Sequence, residues 1–270
     1  MKSAASGILI IIGGAEDKNG DSVILKQAQQ LLGPQDRLTI LTTATEQPEH
    51  AGAAYEDVFH RLGVGNVVVL NINTRRDAND DAMCETLRIS RCVFMTGGDQ
   101  LRITSILGGT RASEELKSLY AGGGVIMGTS AGASVMSSTM VVQGEDNEPA
   151  RKCTLKMAPG LGLLESAIID QHFGQRGRFG RLLCGVAENP GILGIGIDED
   201  TAIQVYPDEH FEVIGNNAVT VIDGNSIQSS NVSELYPNEL LAIVGVMVHA
   251  LPAGYGFDLS KRQVLRLKKD

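Results

Sequence analysis

The chain has 270 residues, of which 43% are hydrophobic and 20% charged, which is sufficient for one large α/β domain or two small ones. Its formal net charge is −9, so no basic stripe is available to neutralise a phosphate backbone, and nucleic-acid binding is excluded. No apolar segment approaches the roughly 18 residues that span a bilayer, which excludes a membrane-spanning helix.

Two features bear on the cellular setting and on bound metals. The apolar run at residues 8–12 is too short for the core of a signal peptide and is typical of a buried strand. The four cysteines show no metal-site spacing, and a chain of this length does not need disulfides for stability. We therefore expect reduced thiols in a cytoplasmic protein that has no membrane association, no bound metal and no cofactor.

The first half of the chain alternates short apolar runs with amphipathic segments. The spacing of apolar residues predicts helices at 22–32 and 55–62, and the runs predict buried strands at 8–12, 38–41, 67–70, 92–95 and 125–127. Strands that alternate with helices indicate βαβ units and a mostly parallel sheet. Because the strands are apolar without interruption, both faces of the sheet should be covered, which predicts a three-layer α/β fold.

The second half consists of shorter apolar runs separated by turn signals. These runs predict strands at 167–170, 193–197, 202–205, 212–214 and 219–222, followed by a longer apolar stretch at 240–250. We interpret them as antiparallel strands added at one edge of the sheet. No linker rich in proline or serine separates the halves, so residues 1–270 are expected to form a single domain.

The strongest chemical signal is the run GTSAG at residues 128–132, which follows a strand and precedes a helix of small and apolar residues. In a Gly-x-Ser-x-Gly elbow of this kind the serine hydroxyl is exposed above the carboxyl edge of the sheet, and the helix N-terminus favours negative charge. The pattern predicts that Ser130 is a nucleophile and that the N–H of Ala131 is one oxyanion donor. The plainer alternative is a glycine-rich turn without chemistry.

A serine nucleophile needs a general base, and His172 is the histidine that ends a predicted strand. Ligand chemistry gathers at the carboxyl ends of parallel strands, so we predict His172 as the base. The other histidines lie in polar loops, on a helix, at a turn or within an apolar strand: His50, His60, His210 and His249. A carboxylate should orient the imidazole, and the loop between serine and histidine offers three that spacing cannot separate: Glu145, Asp146 and Glu148.

Three further stretches carry polar groups that could bind a ligand. The run TGGDQ at 96–100 opens a helix, where a backbone amide can complete an oxyanion hole or Asp99 can simply cap the helix. Carboxylates at 198–200 can bind a cation or a guanidinium group, or cap a turn. In an otherwise acidic chain, a cluster of arginines after the predicted base indicates recognition of carboxylates: Arg176, Arg178 and Arg181.

Together these motifs resemble the cyanophycinases, a group within the serine-peptidase family that also contains the α-aspartyl dipeptidases. The matching runs, in order between residues 8 and 222, are GGAEDK at 13–18, FMTGGDQ at 94–100, GTSAGA at 128–133, DQHF at 170–173, the three arginines, and GIDEDTA at 196–202. The resemblance implies a fold similar to class I glutamine amidotransferase domains, with a serine in place of their cysteine, and a homodimer. The chain after residue 222 carries no motif of this kind.

The resemblance also implies roles for individual residues. It implies Ser130 as nucleophile, His172 as base and Glu148 as the orienting acid; Glu145 remains possible because the loop at 145–149 departs from the family pattern. The implied oxyanion donors are the amides of Gly98 and Ala131. The implied substrate pocket is formed by Gln100, Asp170, Gln171, Arg176, Arg178 and Arg181.

The implied activity is that of an exopeptidase acting on cyanophycin, which is multi-L-arginyl-poly-L-aspartate, with release of β-Asp-Arg dipeptides through an acyl-enzyme. Arginines of the pocket would bind carboxylates along the polymer, and acidic residues would bind its guanidinium groups. Two alternatives stay open, an α-aspartyl dipeptidase of the same family and a non-catalytic α/β domain that binds a small ligand. A lipase or esterase is disfavoured because the sequence has no long apolar lid.

Overall fold

The computed structural model describes residues 7–152 and 154–267, and its first half alternates strands with helices at the positions that the apolar runs predict. The strands are β1 (Ile8–Ile12), β2 (Arg37–Leu41), β3 (Asn66–Leu70), β4 (Cys92–Met95) and β5 (Val125–Thr129). The helices are α1 (Lys26–Leu31), α2 (Pro48–Arg61), α3 (Asp81–Arg88), α4 (Gln100–Leu107), α5 (Arg111–Ala121) and α6 (Ala131–Ser134), with a 3-10 turn at Asp77–Asn79.

The second half is rich in strands and contains one longer helix, α7 (Phe179–Glu188). Its strands are β6 (Thr139–Gly144), β7 (Leu155–Pro159), β8 (Ala167–Gln171), β9 (Leu193–Ile197), β10 (Thr201–Val205), β11 (His210–Gly215), β12 (Ala218–Asp223), β13 (Ser229–Ser230), β14 (Ile243–Val244), β15 (Met247–Pro252), β16 (Tyr255–Asp258) and β17 (Gln263–Arg266). The apolar stretch predicted at 240–250 therefore divides between β14 and β15.

A large mixed sheet forms the centre of the fold, in the order β17-β16-β11-β10-β1-β5-β4-β2-β3. The five strands of the first half are all parallel, and β10, β11, β16 and β17 continue the sheet from β1 in antiparallel pairs. The predicted α/β class with a parallel sheet and an antiparallel edge is therefore observed.

A second sheet differs from the prediction. Strands β8, β9 and β12 were expected at the edge of the main sheet, but they form a separate four-stranded sheet in the order β15-β12-β9-β8, in which β8 and β9 are parallel. A short apolar run satisfies either arrangement, because the run shows that a strand is buried and does not show which neighbour it pairs with.

The apolar run of β1 is explained by cores on both faces of the main sheet. Ile10 and Ile12 point into one core, which is closed by α2 and includes Phe59, whereas Leu9 and Ile11 point into the opposite core. Residues of β8 and β9 also belong to this second core, so the two sheets share it. Complete burial of each such side chain contributes roughly 1.5–3 kcal/mol of hydrophobic stabilisation.

The carboxyl ends of strands from the two sheets meet around the end of β1. The amide of Ser130 donates to the carbonyl of Ile12 (3.1 Å), and the amide of His172 donates to the carbonyl of Gly13 (2.8 Å). These backbone bonds bring the ends of β5 and β8 to one place. Among the residues that the structure describes, none of the helices is both long and apolar enough to cross a bilayer.

Candidate active site

Ser130 occupies a tight turn between β5 and α6. Its backbone adopts φ 52° and ψ −110°, a conformation that is unfavourable for a residue with a side chain and is typical of strained functional turns. The flanking glycines make the turn possible: a Cβ on Gly128 would lie 2.4 Å from the carbonyl oxygen of Gly132, and a Cβ on Gly132 would lie 2.3 Å from that of Met95. The turn leaves the Ser130 side chain partly exposed.

The imidazole of His172 is hydrogen-bonded to this hydroxyl, with 3.0 Å between Nε2 and the Oγ of Ser130. The histidine follows β8 directly and has a positive φ of 49°, which turns its side chain toward β5. Gly14 makes room for the ring, because a Cβ at that position would lie 2.3 Å from the Cε1 of His172. The structure thus brings together the two residues that the sequence predicts as nucleophile and base.

The carboxylate that contacts His172 is that of Glu199, with 2.7 Å between Oε1 and the ring Nδ1. The predicted acid, Glu148, and its alternative, Glu145, lie on an exposed loop, and neither is hydrogen-bonded to the imidazole within the described residues. Chain order pointed to the loop between serine and histidine, whereas β9 is the parallel neighbour of β8, so the turn that follows β9 reaches the same edge. The sequence signal for it was the acidic run at 198–200.

The turn that carries Glu199 is fixed by its neighbours. The Oδ1 of Asp198 accepts the amide of Gly174 (2.8 Å), and the amide of Glu199 donates to the Oε1 of Gln175 (2.9 Å). Asp200 accepts a backbone amide from the turn after β1 in the same way (2.9 Å). Of the uses predicted for this acidic run, the structure shows turn capping, by Asp198 and Asp200. Glu199, between them, faces the imidazole of His172.

The electrostatic surroundings of His172 favour the neutral imidazole. Burial lowers its pKa below the usual 6.5, the hydrogen bond to Glu199 raises it, and the charge of Arg176 lowers it, so that the pKa is lowered on balance. A neutral imidazole at physiological pH can accept the proton of the Ser130 hydroxyl. Once protonated, the ring is stabilised by the carboxylate at Nδ1.

The predicted oxyanion donors lie at the two backbone turns that border Ser130. Ala131 is the first residue of α6, so its N–H has no partner within the helix. The turn after β4 approaches from the other side, since a Cβ on Gly97 would lie 3.5 Å from the Cβ of Ser130. Neither the Gly98 amide nor the Ala131 amide donates to another protein atom in the described ranges. Gly98 is exposed whereas Ala131 is buried, so their role as oxyanion donors stays a prediction.

The predicted substrate-binding charges after His172 are paired with one another. Arg181 makes two bonds to Asp170 (2.7 and 2.5 Å), and Arg178 donates from Nη1 to the backbone and side-chain oxygens of Gln171 (2.5 and 2.9 Å). Asp146 accepts from both arginines (2.8 and 3.1 Å). The side chains of Arg178 and Arg181 are only 6% and 7% exposed, and in this structure they connect the end of β8 to α7 and to the loop after β6.

The remaining two predicted substrate residues have different surroundings. The Nε2 of Gln100 donates to the carbonyls of Val141 (3.2 Å) and Val142 (2.7 Å), which ties α4 to β6. Arg176 is exposed on the turn after His172, and its backbone amide donates to the carbonyl of that histidine (3.1 Å). Of the three predicted arginines, it is the one whose side chain faces solvent.

Glu16 is a buried carboxylate next to the serine turn that the sequence alone does not assign. Its oxygens accept hydrogen bonds from the hydroxyls of Thr129 and Tyr55 (both 2.5 Å), and Lys18 lies 3.1 Å away. Burial and the charge of Glu16 raise the pKa of Tyr55, so that its hydroxyl stays protonated and donates. Thr129 immediately precedes Ser130, so this carboxylate holds the end of β5.

An open groove of about 1080 Å³ begins at Gly98 and runs along α4. One wall comes from α4 itself, another from the turn after β2, and the end of β7 closes a third side. The residues that line it are Ala44, Thr45, Glu46, Gln47, Asn73, Gly98, Asp99, Leu101, Arg102, Thr104, Ser105, Ile106, Ala158 and Pro159. The groove therefore starts beside a predicted oxyanion donor and leads away from the serine.

Comparison with known proteins identifies the family of this chain. The profile of peptidase family S51 matches residues 9–214. These include the hydrogen-bonded series Ser130, His172 and Glu199. The chain belongs to peptidase family S51. Membership in this family indicates a hydrolase, and a serine nucleophile fits the family.

Curated relatives match this S51 peptidase over most of its length. The cyanophycinase of Trichormus variabilis is 36% identical over 264 residues, which are 97% of this chain and 89% of the relative. The cyanophycinase of Synechococcus elongatus is 35% identical over 266 residues, or 97% of this chain and 82% of the relative. The chain is therefore similar to cyanophycinases over most of its length.

Solved structures support the fold. A peptidase from an acI-B1 Actinobacterium superimposes with a TM-score of 0.69 at 20% identity, covering 95% of this chain and 98% of the other. A putative peptidase E protein from Listeria monocytogenes superimposes with a TM-score of 0.53 at 17% identity, covering 78% of this chain and 98% of the other. At these identities the likeness concerns the fold alone.

Proposed function

We propose that the protein is a cyanophycinase, a serine-type exopeptidase that hydrolyses the aspartate backbone of multi-L-arginyl-poly-L-aspartate to β-Asp-Arg dipeptides. The observation that carries the proposal is the hydrogen-bonded series Ser130, His172 and Glu199. It occurs in a chain that is 35% identical to a cyanophycinase over 97% of its length. The serine turn, the neutral base and the oriented acid are the parts that acyl transfer requires.

The proposed reaction begins with attack of the Ser130 oxygen on the carbonyl carbon of an aspartyl bond, while the Nε2 of His172 takes the hydroxyl proton. Glu199 stabilises the resulting imidazolium, and the amides of Gly98 and Ala131 hold the oxyanion. Collapse of the tetrahedral intermediate breaks the C–N bond, and His172 gives its proton to the leaving amine. Water, deprotonated by His172, then hydrolyses the acyl-enzyme and restores the serine.

Three further properties belong to the proposal: the fold and the homodimer follow from the family resemblance, and the location follows from the expected reduced thiols. The fold is similar to that of class I glutamine amidotransferase domains, the protein acts in the cytoplasm, and it works as a homodimer. The GTSAG turn is a nucleophile elbow, for which the backbone of Ser130, at φ 52° and ψ −110°, is the supporting observation.

Incubation with insoluble cyanophycin tests the proposed function. We expect the unmodified protein to release β-Asp-Arg, identified by mass, and to clear the suspension, whereas Ser130→Ala releases none. Parallel incubation with α-Asp-X dipeptides distinguishes the related dipeptidase activity. Cleavage of those dipeptides without release from the polymer would replace the proposed substrate, and full activity of Ser130→Ala would rule out the serine mechanism.

A further inference from the structure

The groove along α4 is placed to receive the part of a substrate that extends beyond the reacting bond. It begins at Gly98, whose neighbour Gly97 would put a Cβ 3.5 Å from the Cβ of Ser130, yet neither Ser130 nor His172 lines it. With a volume of about 1080 Å³, it is as large as the biggest pockets that hold drug-sized ligands, about 1,000 Å³. A chain cleaved at Ser130 can therefore continue into it.

The side chains of the groove carry charges of both signs. Glu46 is exposed on the turn after β2, and Asp99 is exposed at the start of α4, where it also caps the helix by accepting the amide of Leu101 (2.7 Å). Arg102 follows Asp99 by three residues on α4 and is half-buried, with its Nε–H donating to the carbonyl of Thr43 (3.1 Å). The other polar groups of the groove are neutral donors and acceptors, Thr45, Gln47, Asn73, Thr104 and Ser105.

The proposed substrate carries a matching pair of charges on every branch. Each arginine is joined through its α-amino group to an aspartate side chain, so it keeps a guanidinium group and a free α-carboxylate. A carboxylate such as that of Glu46 can accept from the guanidinium, and the outer nitrogens of Arg102 can donate to the α-carboxylate. A groove of one charge would bind only one end of such a branch.

We propose that this groove is an extended subsite that binds the arginyl branches of units beyond the two that flank the scissile bond, with Glu46 paired to a guanidinium group and Arg102 to an α-carboxylate. The inference rests on the proposed function and deepens it, because it assigns polymer recognition to residues outside the hydrogen-bonded series. It gives the enzyme a higher affinity for longer segments than for the shortest segment it cleaves.

The test compares steady-state constants on a two-unit and a six-unit soluble segment of the polymer. For Glu46→Gln we expect KM for the six-unit segment to rise about three- to fivefold at low salt, as for loss of an exposed ion pair, with kcat unchanged. KM for the two-unit segment stays the same. Glu234→Gln removes the same charge from an exposed position in the C-terminal region and serves as the matched control, with no change on either segment.

Arg102 requires a second comparison because its Nε bond to Thr43 also supports the backbone. Arg102→Gln and Arg102→Lys both remove the Nε–H that makes this bond, but only the lysine keeps the charge. In the unmodified protein we expect KM to be lower for the six-unit segment than for the two-unit segment. Arg102→Lys should keep most of this difference, and Arg102→Gln should lose it. Equal loss in both variants would make the role of Arg102 structural and would remove it from the subsite.

Two results separate this inference from the proposed function. Unchanged constants for Glu46→Gln on the six-unit segment, or an equal rise on both segments, overturn the subsite while leaving the hydrolysis intact. Binding of the six-unit segment to Ser130→Ala, measured by calorimetry with and without Glu46→Gln, reports on the groove when no cleavage occurs. Weaker binding in the double variant supports the subsite even if the unmodified protein hydrolyses nothing, and equal binding contradicts it.

Discussion

Glu199 holds the Nδ1 of the imidazole that contacts Ser130, at 2.7 Å, and a carboxylate at this position fixes the tautomer of the base. We expect Glu199→Gln to lower kcat for dipeptide release by about 10³- to 10⁴-fold, with little change in KM, because the amide cannot stabilise the imidazolium. Glu148→Gln is the matched control, since Glu148 lies on an exposed loop. Its rate should equal that of the unmodified protein.

The reverse result, an inactive Glu148→Gln beside a fully active Glu199→Gln, would show that the acid predicted from the family resemblance acts in solution. Loss of activity in both variants would call for a structural check by circular dichroism before any role is assigned.

The pH dependence of kcat/KM follows from the groups around His172. The base works in its neutral form, so the rate falls as pH drops through a pKa that burial and the charge of Arg176 keep below 6.5. Replacing Arg176 by glutamine removes a positive charge that lowers the pKa. The pKa then rises, and the acid limb of the profile moves to higher pH.

A pH–rate profile of Arg176→Gln checks this direction, with Arg91→Gln as a control at an exposed position just before β4, at the opposite end of that strand from the site. A limb that stays in place or moves to lower pH would show that Arg176 does not act on the base. A change in KM alone would assign Arg176 to substrate binding, as the family resemblance implies.

The contact between Ser130 and His172 could be predicted from the sequence, and the contact of Glu199 with the imidazole could not. Gly-x-Ser-x-Gly is a local pattern that requires a strand, a turn and a helix in one continuous run, and His172 was selected by its position at a strand end. The position of Glu199 depends on the parallel pairing of β8 with β9, which is a long-range property that no local run reveals. Its role stays a prediction until the two glutamate variants are compared.

Among the structural elements, the turn after β1 contributes most directly to the shape of the site. Gly14 has φ +99°, and a Cβ there would lie 2.3 Å from the Cε1 of His172. We expect Gly14→Ala to displace the imidazole and to lower kcat on the order of 10- to 100-fold, as displacements near 1 Å can do. Gly65→Ala is the control, because its Cβ would meet nothing closer than 3.9 Å and the variant should be fully active. Full activity of Gly14→Ala would contradict this, since it would show that the imidazole of His172 can move away from the added Cβ without loss of function.

The loop after β6 is fastened to α7 through Asp146, which accepts from two nearly buried guanidinium groups at 2.8 and 3.1 Å. Asp146→Asn removes one carboxylate from the surroundings of those groups. We expect the free energy of unfolding to fall by about 1–2 kcal/mol, a range that already allows for the partial exposure of Asp146. Urea denaturation measures this change. Glu148→Gln, on the same loop, should leave the midpoint unchanged; an unchanged midpoint in Asp146→Asn would show that the contacts of Asp146 with these arginines do not stabilise the fold.

At the scale of the whole molecule, the site combines two sheets. Ser130 follows a strand of the nine-stranded sheet, while His172 and Glu199 follow strands of the four-stranded sheet. The parallel first half was predictable because uninterrupted apolar strands alternate with helices in chain order. The second sheet was not, because short apolar runs do not encode their partners. That residues 1–270 fold as a single domain stays a prediction, and the core shared by both sheets favours it.

The most direct test of the central claim is covalent labelling of Ser130 by a fluorophosphonate, followed by peptide mapping and a cyanophycin assay on the same sample. We predict one adduct per chain, located in the peptide that contains Ser130, and loss of β-Asp-Arg release in proportion to labelling. Glu199→Gln should be labelled much more slowly, because its serine is not activated. Full release of dipeptide from quantitatively labelled protein, or an adduct at another residue, would contradict the account.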